Sequence, residues 1–119
     1  RTISIQPWEK KMIQPIEKAI QIANLGFNPM NNGEMVIITV PPLTEERRRE
    51  LVKQAKGEGE DAKISVRNAR QDANKEIKKV EASDDVKKEA EERVQKLTDK
   101  YIKKVEEVLA VKEAEILKV

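Results

Sequence analysis

The stretch Pro41-Pro42-Leu43-Thr44-Glu45-Glu46 decides how the chain folds, because it separates two regions of different composition. Residues 1–40 hold only seven charged residues, whereas residues 44–119 hold 20 basic and 19 acidic residues and no proline. Consecutive prolines end a strand, and Thr44 is a good N-cap for a helix with an acidic first turn. The sequence therefore predicts a connection at 41–43 between a mixed region and a helical region.

The region before the prolines has the pattern of a strand, a helix and a second strand. Residues 2–6 alternate between polar and apolar, which is typical of a half-buried strand. A helix is predicted from Pro15 to the stop signal at residues 24–26, and residues 35–40 are rich in β-branched side chains. Two strands are too few to be stable alone. We therefore expect residues 1–40 to be part of a small α/β domain whose N-terminal portion is absent from this chain.

Two long helices are predicted after the connection. The first runs from Thr44 to about Val80, and Ser83 can cap a second from about Asp84 to Leu117. Small and branched apolar residues follow one narrow face of the first helix, at Leu51, Ala55, Ala62, Val66, Ala69, Ala73, Ile77 and Val80. Four of these residues are alanine, so a neighbouring helix can approach closely. The two helices are therefore predicted to form a long α-hairpin.

The second helix carries a broader apolar stripe, which covers nearly half of its circumference between Val86 and Ile116. Tyr101 lies in this stripe and is expected in the core, while Trp8 is expected to cover the core of the small region. A two-helix hairpin needs only a narrow seam on each helix. The predicted fold class is therefore α+β, with a hairpin that belongs to a three-helix bundle whose third helix is not in this sequence.

Composition excludes most chemical sites. The chain has no cysteine and no histidine, which excludes disulfides, thiol catalysis, a Ser-His-Asp triad and most zinc sites. The acidic groups at 58–61 and 84–92 lack the spacing of a calcium loop and suit charged helix turns and helix capping better. No apolar run is long enough to cross a membrane. We expect a cytoplasmic protein that uses no metal or cofactor.

A row of cations follows the first long helix beside its apolar face. The region 44–80 has 11 basic and 8 acidic residues, and it carries five of the seven arginines. The row occupies an arc of roughly 100° and comprises Arg49, Lys53, Lys56, Lys63, Arg67, Arg70, Asn74 and Lys78. Such a row on a rigid rod can follow a phosphate backbone, although charge runs on long helices are more often solvated faces.

Several segments, in order along nearly the whole chain, resemble bacterial ribosome recycling factors. The resemblance rests on Pro41–Arg48, on the arginine-bearing segment Val66–Asn74, and on the stretches Gln95–Lys100, Lys112–Ile116, Ile16–Ile20 and Asn24–Pro29. It implies a three-helix bundle with a small α/β domain inserted between its first and second helices. Two departures are Gln71, where the family commonly has arginine, and a connection near residues 81–85 that is a few residues shorter than usual.

The resemblance also implies a function. Proteins of that family act with elongation factor G and GTP to split the post-termination ribosome into subunits, and they are not enzymes. By the resemblance, Arg67 and Arg70 would contact rRNA of the large subunit, and Pro41 and Pro42 would form a hinge. The cation row adds Lys56, Lys63, Asn74 and Lys78 as predicted rRNA-binding residues. We expect the full-length protein to be a monomer.

Two alternatives stay open from the sequence. The chain could be a coiled-coil or helical-bundle interaction module that binds a partner helix through the apolar stripe at 86–116. It could also be an engineered fragment used as a scaffold. Salt dependence separates the first alternative from an rRNA-binding protein, since only phosphate contacts weaken steeply with salt.

Overall fold

A computed structural model describes residues 1–119 and divides them into two units, Arg1–Leu43 and Thr44–Val119. The first unit contains the strand β1 (Thr2–Ile5), a 3₁₀ turn (Lys10–Met12), the helix α1 (Ile13–Ala23) and the strands β2 (Pro29–Asn31) and β3 (Val36–Thr39). The second unit contains only the helices α2 (Glu45–Lys79) and α3 (Asp84–Leu117). The predicted α+β class is confirmed.

The three strands form one antiparallel sheet in the order β1-β3-β2. Ile3 lies opposite Ile38 and Ile5 lies opposite Val36, so these four side chains share one face of the sheet. The helix α1 contacts β2 and β3, and Ile13 is buried together with Val36 and Ile38. This face of the sheet is buried at Val36 and Ile38 of β3, whereas on β1 Ile5 is only partly covered and Ile3 is 50% exposed.

The strand β2 was not expected from the sequence, which predicted two strands with a turn at Asn28-Pro29. Pro29 is the first residue of β2 and is buried opposite Ile38 of β3. Proline is tolerated there because β2 is an edge strand and Pro29 begins it. A strand of three residues that starts with proline has too little periodicity to be predicted, so the two-strand prediction was wrong.

Trp8 does not cover the core of the first unit. Its side chain is fully exposed, in the segment between β1 and the 3₁₀ turn. The expected role was wrong because the aliphatic side chains of Ile13, Val36 and Ile38 already fill the space between α1 and the sheet.

Side-chain caps fix where both long helices begin. The Thr44 hydroxyl accepts a hydrogen bond from the Arg47 amide at 3.1 Å, and the Ser83 hydroxyl accepts one from the Val86 amide at 3.3 Å. The first turn of each helix is acidic and the last turn of α2 is basic, which suits the helix dipole. Both helices begin and end within about a residue of the predicted positions.

The two helices pack along a narrow seam. A Cβ atom built on Gly59 would lie 3.1 Å from Leu109 Cδ2, so the backbone of α2 approaches α3 closely there. No residue of α2 is fully buried, and α3 buries only Thr98, whose hydroxyl donates to the Val94 carbonyl at 2.8 Å. A hairpin of two helices therefore buries little core.

A broad part of the apolar surface stays uncovered, as the width of the stripe predicted. Leu97 is 54% exposed, Tyr101 49% and Val108 62%, so the expectation that Tyr101 lies in the core was wrong. These side chains lie at the edge of the seam on α3. Small residues of α2, such as Ala62 and Ala69, lie next to them. We call this surface the apolar groove; it is lined by Ala55, Ala62, Val66, Ala69, Ala73, Val94, Leu97, Tyr101, Val105 and Val108.

The open end of the hairpin is closed by Arg48. Its guanidinium Nη1 donates to the Ile116 carbonyl at 2.7 Å and to the Lys118 carbonyl at 2.6 Å. The last turn of α3 has no basic residue of its own, and its terminal carbonyls lack helical partners. Arg48 of α2 thus supplies both the donors and the positive charge that the end of α3 needs.

Removing the cap of α3 is expected to destabilise the hairpin. Ser83→Ala leaves the Val86 amide without its acceptor and should lower the free energy of unfolding by about 1 kcal/mol. Urea unfolding followed by circular dichroism measures this change. Ser65→Ala is the matched control, because the Ser65 hydroxyl only bonds back to the Asp61 carbonyl within α2. Equal loss in both variants would contradict the capping role.

Two glycines of α2 allow a direct test of the close approach. Gly57→Ala should raise the free energy of unfolding by about 0.5–1 kcal/mol, since nothing lies near the added methyl group and alanine favours the helix. Gly59→Ala should gain clearly less or lose stability, because its methyl group meets Leu109. Thermal unfolding of both variants measures the difference. An equal gain at both positions would show that the seam is looser than described.

Candidate functional site

The predicted cation row on α2 divides into two parts in the structure. In the N-terminal part, Lys63 is only 14% exposed and forms ion pairs with Glu60 at 3.4 Å and Glu106 at 3.3 Å. Lys56 forms an ion pair with Glu113 at 3.6 Å. Since Glu106 and Glu113 belong to α3, these two lysines connect the helices, and their charges are largely neutralised within the hairpin.

The pKa of Lys63 reflects this position. Hydrogen bonds to Glu106, and to a smaller extent to Glu60, raise the pKa of Lys63 above its ordinary value of 10.5 and outweigh the opposing effect of desolvation. Lys63 therefore stays charged through the neutral range, but its charge is paired with Glu106 of α3.

In the C-terminal part of the row, no acidic side chain pairs with a cation of the site. Arg67 and Lys78 are exposed and form no ion pair or side-chain hydrogen bond. Arg70 is half-buried, and its Nη1 donates to Gln95 Oε1 at 3.4 Å. Gln95 in turn donates to Asp99 Oδ1 at 2.9 Å, so a neutral amide stands between Arg70 and the nearest acid of this network. The positive charges here remain available to a ligand.

Asn74 has a different environment from its neighbours in the row. It is half-buried, and its Oδ1 atom is fully buried without a hydrogen-bond donor. The side chain lies in a shallow polar groove on the surface of the hairpin, and its amide is only partly accessible to solvent. The groove is lined by Arg70, Gln71, Asn74, Lys75, Lys78 and Gln95.

The structure adds Lys75 and Gln95 to the site. Lys75 is an exposed cation of the groove that lies outside the predicted arc, and Gln95 comes from α3. A wider arc around Arg70 would have included Lys75. No signal in the sequence fixes the register of α2 against α3, so the contact between Gln95 and Arg70 could not be predicted.

The other predicted positions are not part of this cluster. Pro41 and Pro42 lie at the end of the first unit, in a segment that forms neither helix nor strand. No group of three or more acidic side chains is arranged to hold a metal ion. None of the helices combines the length and apolar character needed to cross a bilayer.

The cluster of Arg67, Arg70, Lys75 and Lys78 is suited to bind phosphate groups. Arginine presents a planar set of donors that fits two phosphate oxygens, and lysine adds a compact charge. These cations lie on one rigid helix and have no carboxylate partner, so binding an anion requires no internal ion pair to break. The arrangement holds no nucleophile or acid–base pair and can position a polyanion.

Several known proteins are similar to this chain. A family model described as ribosome recycling factor matches residues 1–117. The ribosome-recycling factors of Flavobacterium johnsoniae and Flavobacterium psychrophilum are 67% and 69% identical to the chain over 122 residues. Both match 100% of the chain, which covers 65% of each relative. The relatives match the chain from end to end, so the comparison does not bear out the expected absence of an N-terminal portion.

Solved structures give the same result. The chain is similar to a solution structure of the ribosome recycling factor, with a TM-score of 0.66 and 46% identity over 99% of this chain and 64% of that one. It is also similar to a structure that places the Thermus thermophilus ribosome recycling factor and Escherichia coli elongation factor G on the E. coli post-termination complex. That similarity has a TM-score of 0.57 and 40% identity, with coverage of 99% of this chain and 66% of that one. The chain belongs to the ribosome recycling factor family.

Proposed function

We propose that the chain is the rRNA-binding and force-receiving part of a ribosome recycling factor. It spans 65% of the length of the curated relatives that it matches. In this proposal α2 and α3 bind the large ribosomal subunit, and the protein splits post-termination ribosomes together with elongation factor G. The similar structure of a recycling factor and elongation factor G on the post-termination complex supports the choice of partners.

The observation that carries the proposal is the unpaired group of cations on α2. Arg67, Arg70 and Lys78 share one side of a helix of 35 residues, and no acid of α3 neutralises them. Lys56 and Lys63, in contrast, hold the two helices together. We therefore assign phosphate contacts to Arg67, Arg70 and Lys78, an inter-helix role to Lys56 and Lys63, and an intermediate position to Asn74.

The proposed mechanism is mechanical. The helices α2 and α3, of 35 and 34 residues, form a rod about 50 Å long that is anchored by cations to rRNA. Pro41 and Pro42 form one of the connecting segments of a stiff hinge, and through this hinge a force on the first unit is transmitted to the rod. No chemical step is needed, so the protein acts without being an enzyme, and its place of action is the cytoplasm.

A second role is proposed for the apolar groove, since it exposes Leu97, Tyr101 and Val108. A further helix lies in this groove and completes the three-helix bundle that the family resemblance implies. The alternative of a general helix-binding module uses the same surface. Binding through the groove is apolar and should change little with salt, whereas binding through the cations should weaken steeply.

Arg70→Ala tests the rRNA contact. The variant should bind isolated large ribosomal subunits less tightly, and the slope of log affinity against log salt should become shallower by about 0.7–0.9, the value for one lost phosphate contact. Co-sedimentation over a salt series measures both quantities. Arg49→Ala is the control, since Arg49 is already paired with Glu45 at 2.6 Å. If Arg70→Ala binds like the unmodified chain, the rRNA anchor is wrong.

Lys63→Met should show the opposite behaviour to Arg70→Ala. It removes the ion pair with Glu106, so the unfolding midpoint should fall while the salt slope of subunit binding stays unchanged. Because the folded-state pKa of Lys63 is raised, its stabilising effect is complete below pH 10.5 and is lost as the pH rises through the raised value. The stability difference between the two chains should therefore shrink at alkaline pH. A lower salt slope would instead make Lys63 a phosphate contact.

A further inference from the structure

The turn between β2 and β3 contains the sequence Asn32-Gly33, and glycine follows no other asparagine of the chain. Gly33 has a φ of 88°, which glycine adopts without strain, and a Cβ atom added to it would have no neighbour within 4 Å. Both residues are exposed, and the Gly33 amide forms no hydrogen bond. The peptide nitrogen that follows Asn32 is therefore unhindered by any side chain and accessible to water.

The side chain of Asn32 is held by the backbone of the same turn. Its Oδ1 atom accepts hydrogen bonds from the Glu34 amide at 3.0 Å and from the Met35 amide at 2.9 Å. Since the Gly33 amide lies between Asn32 and these donors in the chain, the two bonds fold the side-chain carbonyl back over the Gly33 peptide. The Nδ2 atom of the same side chain forms no hydrogen bond.

Two N–H groups that point at one carbonyl oxygen have a chemical consequence. They make the carbonyl carbon a better electrophile, and they stabilise the negative charge that develops on the oxygen when a nucleophile adds. The nucleophile nearest in the chain is the Gly33 nitrogen. Its attack on Cγ of Asn32 closes a succinimide ring within the turn, so the reaction is intramolecular and needs no second macromolecule.

We infer that Asn32 is a site of spontaneous deamidation, promoted by the turn in which it lies. The Gly33 nitrogen bonds to Cγ of Asn32 and gives up its proton, while the Cγ–Nδ2 bond breaks and ammonia leaves. One water molecule then opens the succinimide at either of its carbonyl groups, which yields aspartate or isoaspartate. Water is the only co-reactant. The inference goes beyond the proposed function and does not depend on RNA binding.

Each of the other asparagines lacks part of this arrangement. Asn68 and Asn74 lie within α2, where the following amide is bonded to a carbonyl of the preceding turn. Asn28 precedes a proline, whose nitrogen carries no hydrogen. Asn24 and Asn31 precede residues with side chains, which hinder the approach to the nitrogen. The chain therefore contains five internal controls for the reaction at Asn32.

Deamidation changes the turn in charge and in length. It adds a negative charge two residues from Glu34, and isoaspartate also adds a methylene group to the backbone. The turn is closed by a hydrogen bond from the Asn32 amide to the Met35 carbonyl at 3.2 Å, which a longer backbone disturbs. Because β2 has only three residues paired with β3, we expect the modified chain to hold this edge strand less firmly.

The test incubates the folded 119-residue chain in mildly alkaline buffer and follows every asparagine by peptide mass spectrometry. Asn32 should convert at least about tenfold faster than any other asparagine, since one well-placed oxyanion donor can contribute more than that factor. Asn32→Ser should abolish the fast conversion, because serine has no amide to lose but can still accept turn hydrogen bonds. Asn31→Ser is the matched control and should leave the conversion of Asn32 unchanged. Circular dichroism verifies that both variants keep the fold.

Incubation of the same chain unfolded in guanidinium chloride separates the effect of the turn from that of the dipeptide alone. The folded chain should convert Asn32 at least as fast as the unfolded chain. Slower conversion in the folded chain would show that the two hydrogen bonds protect the amide, and the inference would fail. It would be overturned as well if Asn32 kept its mass or converted no faster than the other asparagines of the folded chain.

Discussion

Two antiparallel helices can cover each other along only one narrow face, and the second unit follows from that constraint. The seam of small residues brings α2 so near to α3 that a methyl group on Gly59 would press on Leu109. Thr98 is the only residue of the two helices that becomes fully buried. Everything outside the seam stays at the surface, including much of the apolar stripe of α3. The unit is thus a stiff rod with little core, and its sides are free for binding.

The sides of this rod have different chemistry because each residue's place relative to the seam decides its partners. Cations next to the seam, such as Lys56 and Lys63, reach the acids of α3 and become part of the structure. Cations that lie further from the seam on the surface of α2, such as Arg67 and Lys78, form no ion pair, so their charge is available to a ligand. The apolar groove lies apart from Arg67 and Lys78, and Arg70 stands at the border, because it lines the groove beside Leu97 and Tyr101 as well as the polar groove beside Gln95.

Features with a local cause were predictable from the sequence. The hydroxyls of Thr44 and Ser83 fixed where the helices begin, and the spacing of apolar residues indicated both the seam and the excess width of the stripe. Features that depend on tertiary register were not. Nothing in the sequence shows that Lys63 meets Glu106 or that Gln95 lies beside Arg70, since both contacts require the alignment of two separate helices. The short strand at Pro29 was missed because three residues show too little periodicity, and the exposure of Trp8 was missed because other side chains form the core of the first unit.

The bonds from Arg48 to the carbonyls of Ile116 and Lys118 have a consequence for the dynamics of the rod. Helix ends ordinarily fray independently, and their terminal amides exchange hydrogen with solvent at little energetic cost. Here the first turn of α2 and the last turn of α3 share one guanidinium, while the opposite ends are joined by the short connection around Ser83. Opening the last turn of α3 must therefore also break its bonds to the Arg48 side chain, so the stability of this helix end depends on a residue of the other helix.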